Sequence, residues 1–150
     1  MSIAVIDNGK NADEIARIIR TSKVVEPDEI SGNFEAYILS DGPLNKQIQK
    51  NNLDFIKKNK KPLLGIGMGC LYLATCFGAT IKQNPHVKET QVTIKQKAPI
   101  LLGLKKSFSV VDEQTYTIEN CPDCFGAIAS SKKYEFEIIQ HGANINNIID

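Results

Sequence analysis

One segment of the chain passes directly from an apolar strand through a glycine-rich turn into an apolar helix. Residues 62–66 form a short apolar run, residues 67–69 read Gly-Met-Gly, and the apolar residues 70–77 follow before Gly78. A short apolar run of this kind is typical of a strand buried on both faces, and the glycines allow a sharp turn into the helix. This unit therefore favours an α/β fold built on a parallel sheet.

Alternating strand and helix patterns extend this interpretation through the first sixty residues. We expect Asn11 and Glu14 to form a capping arrangement at the start of the first helix. The buried stripe of that helix is predicted to consist of Ile15, Ala16, Ile18 and Ile19. The predicted elements are strands at residues 2–7, 23–26 and 36–40 and helices at residues 11–20 and 45–59.

From residue 80 onward the patterns are β-like, and no repeat or linker interrupts them. The length of 150 residues fits one domain, residues 1–150. We therefore predict a three-layer α/β domain with a mostly parallel, flavodoxin-like sheet flanked by helices. The strands predicted in the second half are residues 90–95, 107–111, 116–118, 127–130 and 135–140.

The topology of such a sheet predicts where a ligand would bind. In open α/β sheets, ligands usually bind outside the carboxyl ends of the strands. Three segments follow strand ends in this chain: the loop 41–43, the turn at Gly67 and the strand end near His141. We expect these three segments to converge on one site.

The charge balance and the cysteine content exclude several classes of function. With 18 basic and 17 acidic residues the net charge is +1, so no overall positive field is available to hold nucleic acid. No apolar run reaches the ~18 residues that a membrane-spanning helix requires, and no N-terminal signal pattern is evident. We therefore expect a cytoplasmic protein that binds neither nucleic acid nor membranes, with its four cysteines as thiols.

Residues 61–71, which read KPLLGIGMGCL, carry a resemblance to a known family. A strand that leads into Gly-x-nucleophile-x-Gly and then into a helix is a nucleophile elbow. The class I glutamine amidotransferases carry this elbow roughly as K-P-apolar-L-G-I-C-L-G-H-Q, and the present segment is similar to it. The resemblance implies the amidotransferase fold and places Gly67 at the position of the catalytic cysteine.

Three further motifs occur in the order that the family shows. Residues 3–9 (IAVIDNG) look like its opening strand and turn, and residues 37–43 (YILSDGP) are similar to the I-L-S-G-G-P loop that contributes to the oxyanion hole. Residues 138–144 (IIQHGAN) lie where the family carries G-V-Q-F-H-P-E. The likeness is strong from residue 3 to residue 80 and weaker afterwards. Within the family it is nearest to the amidotransferase subunit of GMP synthetase.

The resemblance also implies that the catalytic side chains have been lost. In the family a cysteine thiolate attacks the glutamine amide, a histidine transfers the proton and a carboxylate orients the histidine. The motifs place these roles at Gly67, Gly142 and Asn144, and none of the three has the required side chain. Leu71 stands where the family has a glutamine that helps to hold the substrate.

The backbone of the elbow does not depend on the lost side chains. The amides near Gly42 and Met68 are candidates for an oxyanion-type nest that binds a small anion or a carbonyl group. Glycine at position 67 suits the strained backbone of an elbow, since it adopts a positive φ without the ~1–3 kcal/mol that other residues incur. We therefore expect the elbow to keep its shape, and no cofactor is implied.

Two cysteine-containing arrangements offer alternative chemistry. Cys70 and His141 are candidate substitutes for the nucleophile and the base. However, Cys70 lies about 4.5 Å further along the helix, and His141 adjoins the mapped position on a strand and should face the other way. Cys121 and Cys124 have the spacing of a redox dithiol or of half a zinc site. We expect instead a buried Cys70, a structural His141, a turn containing two thiols, and no metal site.

Two functions follow from the resemblance. The first is a catalytically inactive amidotransferase-like domain that binds or regulates a partner, either a synthetase subunit or another protein. The second is a glutamine-hydrolysing subunit that supplies ammonia to a synthetase such as GMP synthetase, through misaligned residues or a partner chain. The retained glycine framework beside the lost side chains favours the first.

Overall fold

Four parallel strands form the central sheet of the computed structural model, which describes residues 2–83, 88–112, 115–132 and 134–141. The strands lie in the order β2-β1-β3-β4. Parallel neighbours need crossover connections, and helices supply two of them here. The bounds are β1 Ile3–Ile6, α1 Ala12–Ile18, β2 Ser22–Val25, β3 Ala36–Leu39, α2 Lys46–Lys58, β4 Leu63–Gly65 and α3 Met68–Cys76.

The side chains of β1 alternate between the two faces of this sheet, and helices cover both faces. Ala4 and Ile6 pack in a core that also contains Tyr72 of α3 and residues of α2. Val5 points to the opposite face, where it packs with Ala12 of α1. This alternation follows from the two-residue period of a strand. The predicted α/β class, with a parallel sheet flanked by helices, is confirmed.

The second half of the chain forms an antiparallel sheet in the order β10-β9-β6-β7 and a separate ribbon in which β5 pairs with β8. The sequence patterns located five of these six strands to within a few residues, and β5 had no prediction of its own. A single 3₁₀ turn, Pro99–Leu101, lies between β6 and β7. The bounds are β5 Thr80–Gln83, β6 Lys88–Ile94, β7 Ser107–Asp112, β8 Tyr116–Asn120, β9 Phe125–Ser130 and β10 Ile138–His141.

The start of α1 differs from the sequence prediction. Asn11 occupies the N-cap position, but its backbone is left-handed, with φ 66°, and its side chain makes no capping hydrogen bond. Asparagine tolerates this conformation better than most residues, so its backbone rather than its side chain serves the turn. The helix then ends at Ile18, whose side chain is 82% exposed, so Ile18 does not belong to the buried stripe.

The start of α2 has the side-chain cap that α1 lacks. The Asn45 carboxamide oxygen accepts hydrogen bonds from the backbone amides of Gln47 and Ile48, at 2.9 Å and 3.0 Å. These bonds satisfy two of the amides that a helix leaves without partners at its N-terminus. The helix therefore begins one residue after the predicted position and keeps a fixed entry angle.

Two fully buried asparagines connect the end of β1, the loop after β3 and helix α2. The Asn52 amide group donates to Asn8 Oδ1 at 2.8 Å and to the Ile48 carbonyl oxygen at 2.8 Å. Asn8 Nδ2 donates to the Ser40 carbonyl oxygen at 3.0 Å, and the Asn8 backbone amide donates to Ser40 Oγ at 2.9 Å. Buried polar groups must be paired to be tolerated, so this network fixes the loop that begins at Ser40.

We predict that Asn52→Ala lowers the free energy of unfolding by about 1–3 kcal/mol, because Asn8 Oδ1 would lose its buried donor. Urea unfolding measures this change. Asn51→Ala on the same helix is the matched control, since the Asn51 side chain accepts only an exposed hydrogen bond from Gln47 in the described structure, and it should change the free energy by less than about 0.5 kcal/mol. Equal effects of the two substitutions would contradict the structural role of the buried pair.

Candidate functional site

The turn between β4 and α3 has the backbone conformation of a strained elbow. Gly67 lies directly before Met68 at the N-cap of α3, with φ 57° and ψ −122°. A side chain disfavours this region, whereas glycine enters it freely. The flanking glycine Gly65 allows close packing, because a Cβ placed on it would lie 2.7 Å from the Cys70 backbone nitrogen. The elbow therefore keeps its shape with glycine at its apex.

The side chain of Asp41 fills the space beside Gly67. Asp41 Oδ1 accepts a hydrogen bond from the backbone amide of Met68 at 2.8 Å. A Cβ placed on Gly67 would lie 2.8 Å from the Asp41 Cβ and would collide with the Asp41 carboxylate group. The carboxylate thus occupies both the first amide of α3 and the volume that any side chain at position 67 would need.

Several contacts hold Asp41 in this place. The Asp41 carbonyl oxygen accepts a hydrogen bond from the Lys10 backbone amide at 2.9 Å. Gly42 lies against the end of β1 so closely that a Cβ on it would collide with the Asn8 carbonyl oxygen. The hydroxyl of Tyr72 in α3 accepts a hydrogen bond from the Asn45 amide at 3.2 Å. The loop is therefore tied to β1 on one side and to α3 on the other.

Burial raises the pKa of Tyr72, and the nearby negative charge of Asp41 raises it further, against a lowering by the backbone hydrogen bond with Asn45. The phenol therefore stays neutral at physiological pH. A neutral hydroxyl can accept from the Asn45 amide and donate to a carbonyl oxygen of the same loop, and the Pro43 oxygen lies 3.4 Å away. Tyr72 is a structural link between the loop and the helix.

A cavity of about 410 Å³ opens over the elbow at the carboxyl end of the parallel strands. Lys10 and Asp41 supply its charged groups, and Leu71 contributes an apolar wall. Thr115 and Tyr116, at the start of β8, close the far side. The predicted site is therefore a real concavity, but a carboxylate rather than an unoccupied amide faces it beside Gly67.

The predicted oxyanion-type nest of Gly42 and Met68 is filled by the chain itself. Both residues line the cavity, as the topology led us to expect. The Met68 amide, however, donates to Asp41 Oδ1, so an anion would have to displace a carboxylate that is already bound. The negative charge also opposes the approach of a second anion.

The two candidate substitute residues lie away from the cavity. Cys70 is 2% exposed and packs in the main hydrophobic core. The imidazole of His141 packs against Phe77 and Phe125, with ring centroids 5.0 Å and 5.4 Å apart. Phe77 follows the C-terminal end of α3, whereas Gly67 precedes its N-terminal end. Among the described residues, the loop at Asp41 and the Gly67 turn meet as predicted, and the contacts of His141 lie at the other end of the helix.

The remaining mapped positions of the triad, Gly142 and Asn144, lie outside the described residues. Their assignment stays a prediction from the sequence motifs.

Cys121 and Cys124 lie in the turn between β8 and β9. The Phe125 amide donates to the Pro122 carbonyl oxygen at 3.0 Å, which closes a four-residue turn. Burial raises the pKa of the Cys121 thiol, and the neighbouring Cys124 and Glu135 raise it further. A raised pKa keeps the thiol protonated and poorly reactive. Among residues 2–83, 88–112, 115–132 and 134–141, no three His, Cys, Asp or Glu side chains are grouped to hold a metal ion.

The sequence interpretation did not assign a role to Asp41, although the signal was present. The loop 37–43 is similar to I-L-S-G-G-P, and Asp41 replaces the first glycine of that pattern. A side chain added at the position where a family loop requires glycine must enter the space in front of the elbow. The coincidence of an added side chain at position 41 and a lost one at position 67 was the available clue.

A family model for class I glutamine amidotransferases matches residues 4–148 of the chain. The chain belongs to this family. The predicted resemblance is thereby confirmed, and it covers the antiparallel second half as well as the parallel sheet and elbow.

Curated relatives of this amidotransferase domain have one name in common. The chain is 27% identical over 141 residues to a glutamine-hydrolyzing GMP synthase subunit of Saccharolobus solfataricus, with 90% of this chain and 75% of that protein covered. It is 25% identical over 155 residues to the protein of the same name from Thermoplasma acidophilum, with 94% and 78% covered.

Solved structures give the same likeness. A structure described as a GMP synthase subunit from Thermoplasma acidophilum superposes with a TM-score of 0.88 at 26% identity, covering 99% of this chain and 81% of that one. A glutamine amidotransferase from Thermotoga maritima superposes with a TM-score of 0.82 at 16% identity, covering 99% and 73%, and supports the fold alone. Within the described part of the chain, no helix is long and apolar enough to cross a bilayer.

We predict that Asp41 and Gly67 are energetically coupled. Gly67→Ala should destabilise the domain both through backbone strain and through the collision with Asp41. In an Asp41→Gly background only the backbone strain remains, so the cost of Gly67→Ala should fall by about 0.5–3 kcal/mol in a double-mutant cycle measured by urea unfolding.

Gly32→Ala is the control for this cycle, because a Cβ at Gly32 meets no described atom within 4 Å. Its effect on stability should be small and independent of Asp41. Additive effects of the substitutions at positions 41 and 67 would show that the two side-chain volumes do not compete.

Proposed function

We propose that this class I amidotransferase domain does not hydrolyse glutamine and acts as a binding or regulatory subunit of a synthetase. One observation carries the proposal: the Asp41 carboxylate is hydrogen-bonded to the Met68 amide in the space beside Gly67. An elbow that is filled by the chain's own carboxylate offers neither a nucleophile nor a free donor for an oxyanion.

Each missing element is costly on its own. Removal of the nucleophile from a hydrolytic triad lowers kcat by about 10⁶ in a well-studied protease. Loss of a single oxyanion donor costs about 10²–10³ in kcat. At this elbow Gly67 has no side chain and the Met68 amide is engaged by Asp41. The negative charge of Asp41 also opposes the negative charge that develops on the substrate oxygen during attack.

The preserved scaffold supports a binding role. The close approaches at Gly42 and Gly65, the buried Asn8–Asn52 pair and the Tyr72 link keep the loop and elbow rigid in the absence of a nucleophile at Gly67. The related proteins are named as subunits of GMP synthase, which supports the proposal that the partner is a synthetase subunit. A rigid domain of this shape can dock on such a partner and alter its activity without supplying ammonia.

A glutamine-hydrolysing activity is the second candidate. The names of the relatives favour it, since each is described as glutamine-hydrolyzing and they cover 90% and 94% of this chain. In the described residues the thiol nearest in sequence to the elbow belongs to the buried Cys70. This activity would require Asp41 to leave the Met68 amide and Cys70 to reach the cavity, with residues of a partner completing the site.

We predict no glutamine-dependent release of ammonia above the buffer rate, either by the purified domain or by its mixture with the synthetase subunit of the same organism. An active class I amidotransferase assayed in parallel shows that the conditions permit turnover. Cys70→Ala should leave the trace unchanged. Glutamine-dependent turnover that Cys70→Ala abolishes would establish the second candidate and refute the first.

A further inference from the structure

The connection between β6 and β7 exposes more apolar surface than its surroundings. In this segment, which we call the 95–106 loop, Leu102 is 89% exposed, Leu104 51% and Ile100 41%. The loop lines a concave groove of about 780 Å³. Contiguous exposed apolar side chains in a concave setting mark an interaction surface more often than scattered ones do.

The 95–106 loop also has a charge unlike that of the whole chain. It contains Lys95, Lys97, Lys105 and Lys106 and no acidic residue, so its charge is +4, whereas the chain as a whole carries +1. The lysines flank the apolar residues on both sides in the sequence. An apolar centre with a charged rim is the usual composition of a protein–protein interface.

The loop is anchored to the domain. Leu101 is buried and packs with Ile128 of β9 and Leu64 of β4. The Lys95 amide donates to the Ile128 carbonyl oxygen at 2.8 Å, and the Leu104 amide donates to the Leu101 carbonyl oxygen at 3.1 Å. A preformed surface loses less conformational entropy on binding than a flexible one.

We propose that the 95–106 loop is the docking surface for the synthetase subunit, which presents an apolar projection surrounded by acidic residues. This inference rests on the proposed function and adds where the partner binds. The +4 charge of the loop opposes a second copy of the same loop, which disfavours self-association. The concave groove suits an inserted protein side chain better than a flat lipid surface.

The position of the loop separates docking from the elbow. Leu64 packs with Leu101 and also with the cluster on the α1 face of the parallel sheet, whereas α3 packs on the opposite face. A partner seated on the 95–106 loop therefore need not cover the cavity at Asp41. Substitutions in the loop should change binding without altering the elbow.

Calorimetric titration with the purified synthetase subunit of the same organism tests this inference. Leu102→Ser with Leu104→Ser should raise Kd by at least about tenfold, because both side chains would lie in the buried centre of the interface. Lys95→Glu with Lys97→Glu should also weaken binding, and should reduce its loss between about 100 mM and about 400 mM salt. Thermal melting checks that each variant is folded.

Two matched controls keep the surface and charge changes elsewhere. Ile18→Ser removes an exposed apolar side chain, 82% exposed, from α1. Lys57→Glu with Lys58→Glu reverses two charges at the end of α2. Both controls should bind within about twofold of the unchanged chain, since exposed positions outside an interface contribute little.

The outcomes separate the two proposals. If the unchanged chain binds and folded loop variants bind equally well, the docking surface is wrong and the proposed function stands. If the unchanged chain does not bind the synthetase subunit, the partner in the proposed function and the docking surface are both wrong. Lysine-dependent binding to vesicles of anionic phospholipid, without binding to the synthetase subunit, would assign the loop to a membrane instead and overturn the inference.

Discussion

The hydrogen bond from the Met68 amide to the Asp41 carboxylate is the contact on which the form of the elbow depends. It joins the loop after β3 to the first turn of α3, two segments 27 residues apart in the chain. A carboxylate at a helix N-terminus is favourable, because it pairs with a free amide and with the positive end of the helix dipole. The bond therefore stabilises the same geometry that, in the family, serves a developing oxyanion.

Gly67 and Asp41 form a matched pair of changes. Asp41 can enter the space beside the elbow only because position 67 has no side chain, and Gly67 removes strain that a side chain would cause there. The Asn8–Asn52 pair and the Tyr72 hydroxyl hold the loop from two sides, so the carboxylate stays in place. The site has changed from one that accepts negative charge to one that already contains it.

The sequence predicted the parts of this structure that depend on local pattern. Apolar runs located the strands, periodicity located the helices, and the spacing of glycines indicated the elbow and its positive φ at Gly67. The capping role of Asn11 and the burial of Ile18 were wrong, since the length of α1 is set by how the chain turns toward β2. Helix ends depend on tertiary context more than on local propensity.

The content of the site was harder to predict than its location. The loop at Asp41 was recognised by its likeness to a glycine-rich motif, which describes the backbone and not the added side chain. Whether that side chain faces solvent or the elbow depends on contacts with Asn8, Lys10 and Tyr72, which are distant in sequence. The role of Asp41 therefore required the three-dimensional arrangement.

The most direct test of this account is an acid titration of the backbone amides by NMR in the ¹⁵N-labelled domain. If Asp41 is bound to the Met68 amide, the Met68 amide proton should shift as the carboxylate is protonated between about pH 7 and about pH 3, since a neutral acid is a weaker acceptor. Asp41→Asn should abolish this shift. The Gly9 amide, which donates to Asp7 Oδ1 at 2.9 Å, should continue to titrate as an internal control. A Met68 amide that does not respond to pH, or responds equally in Asp41→Asn, would contradict the filled elbow.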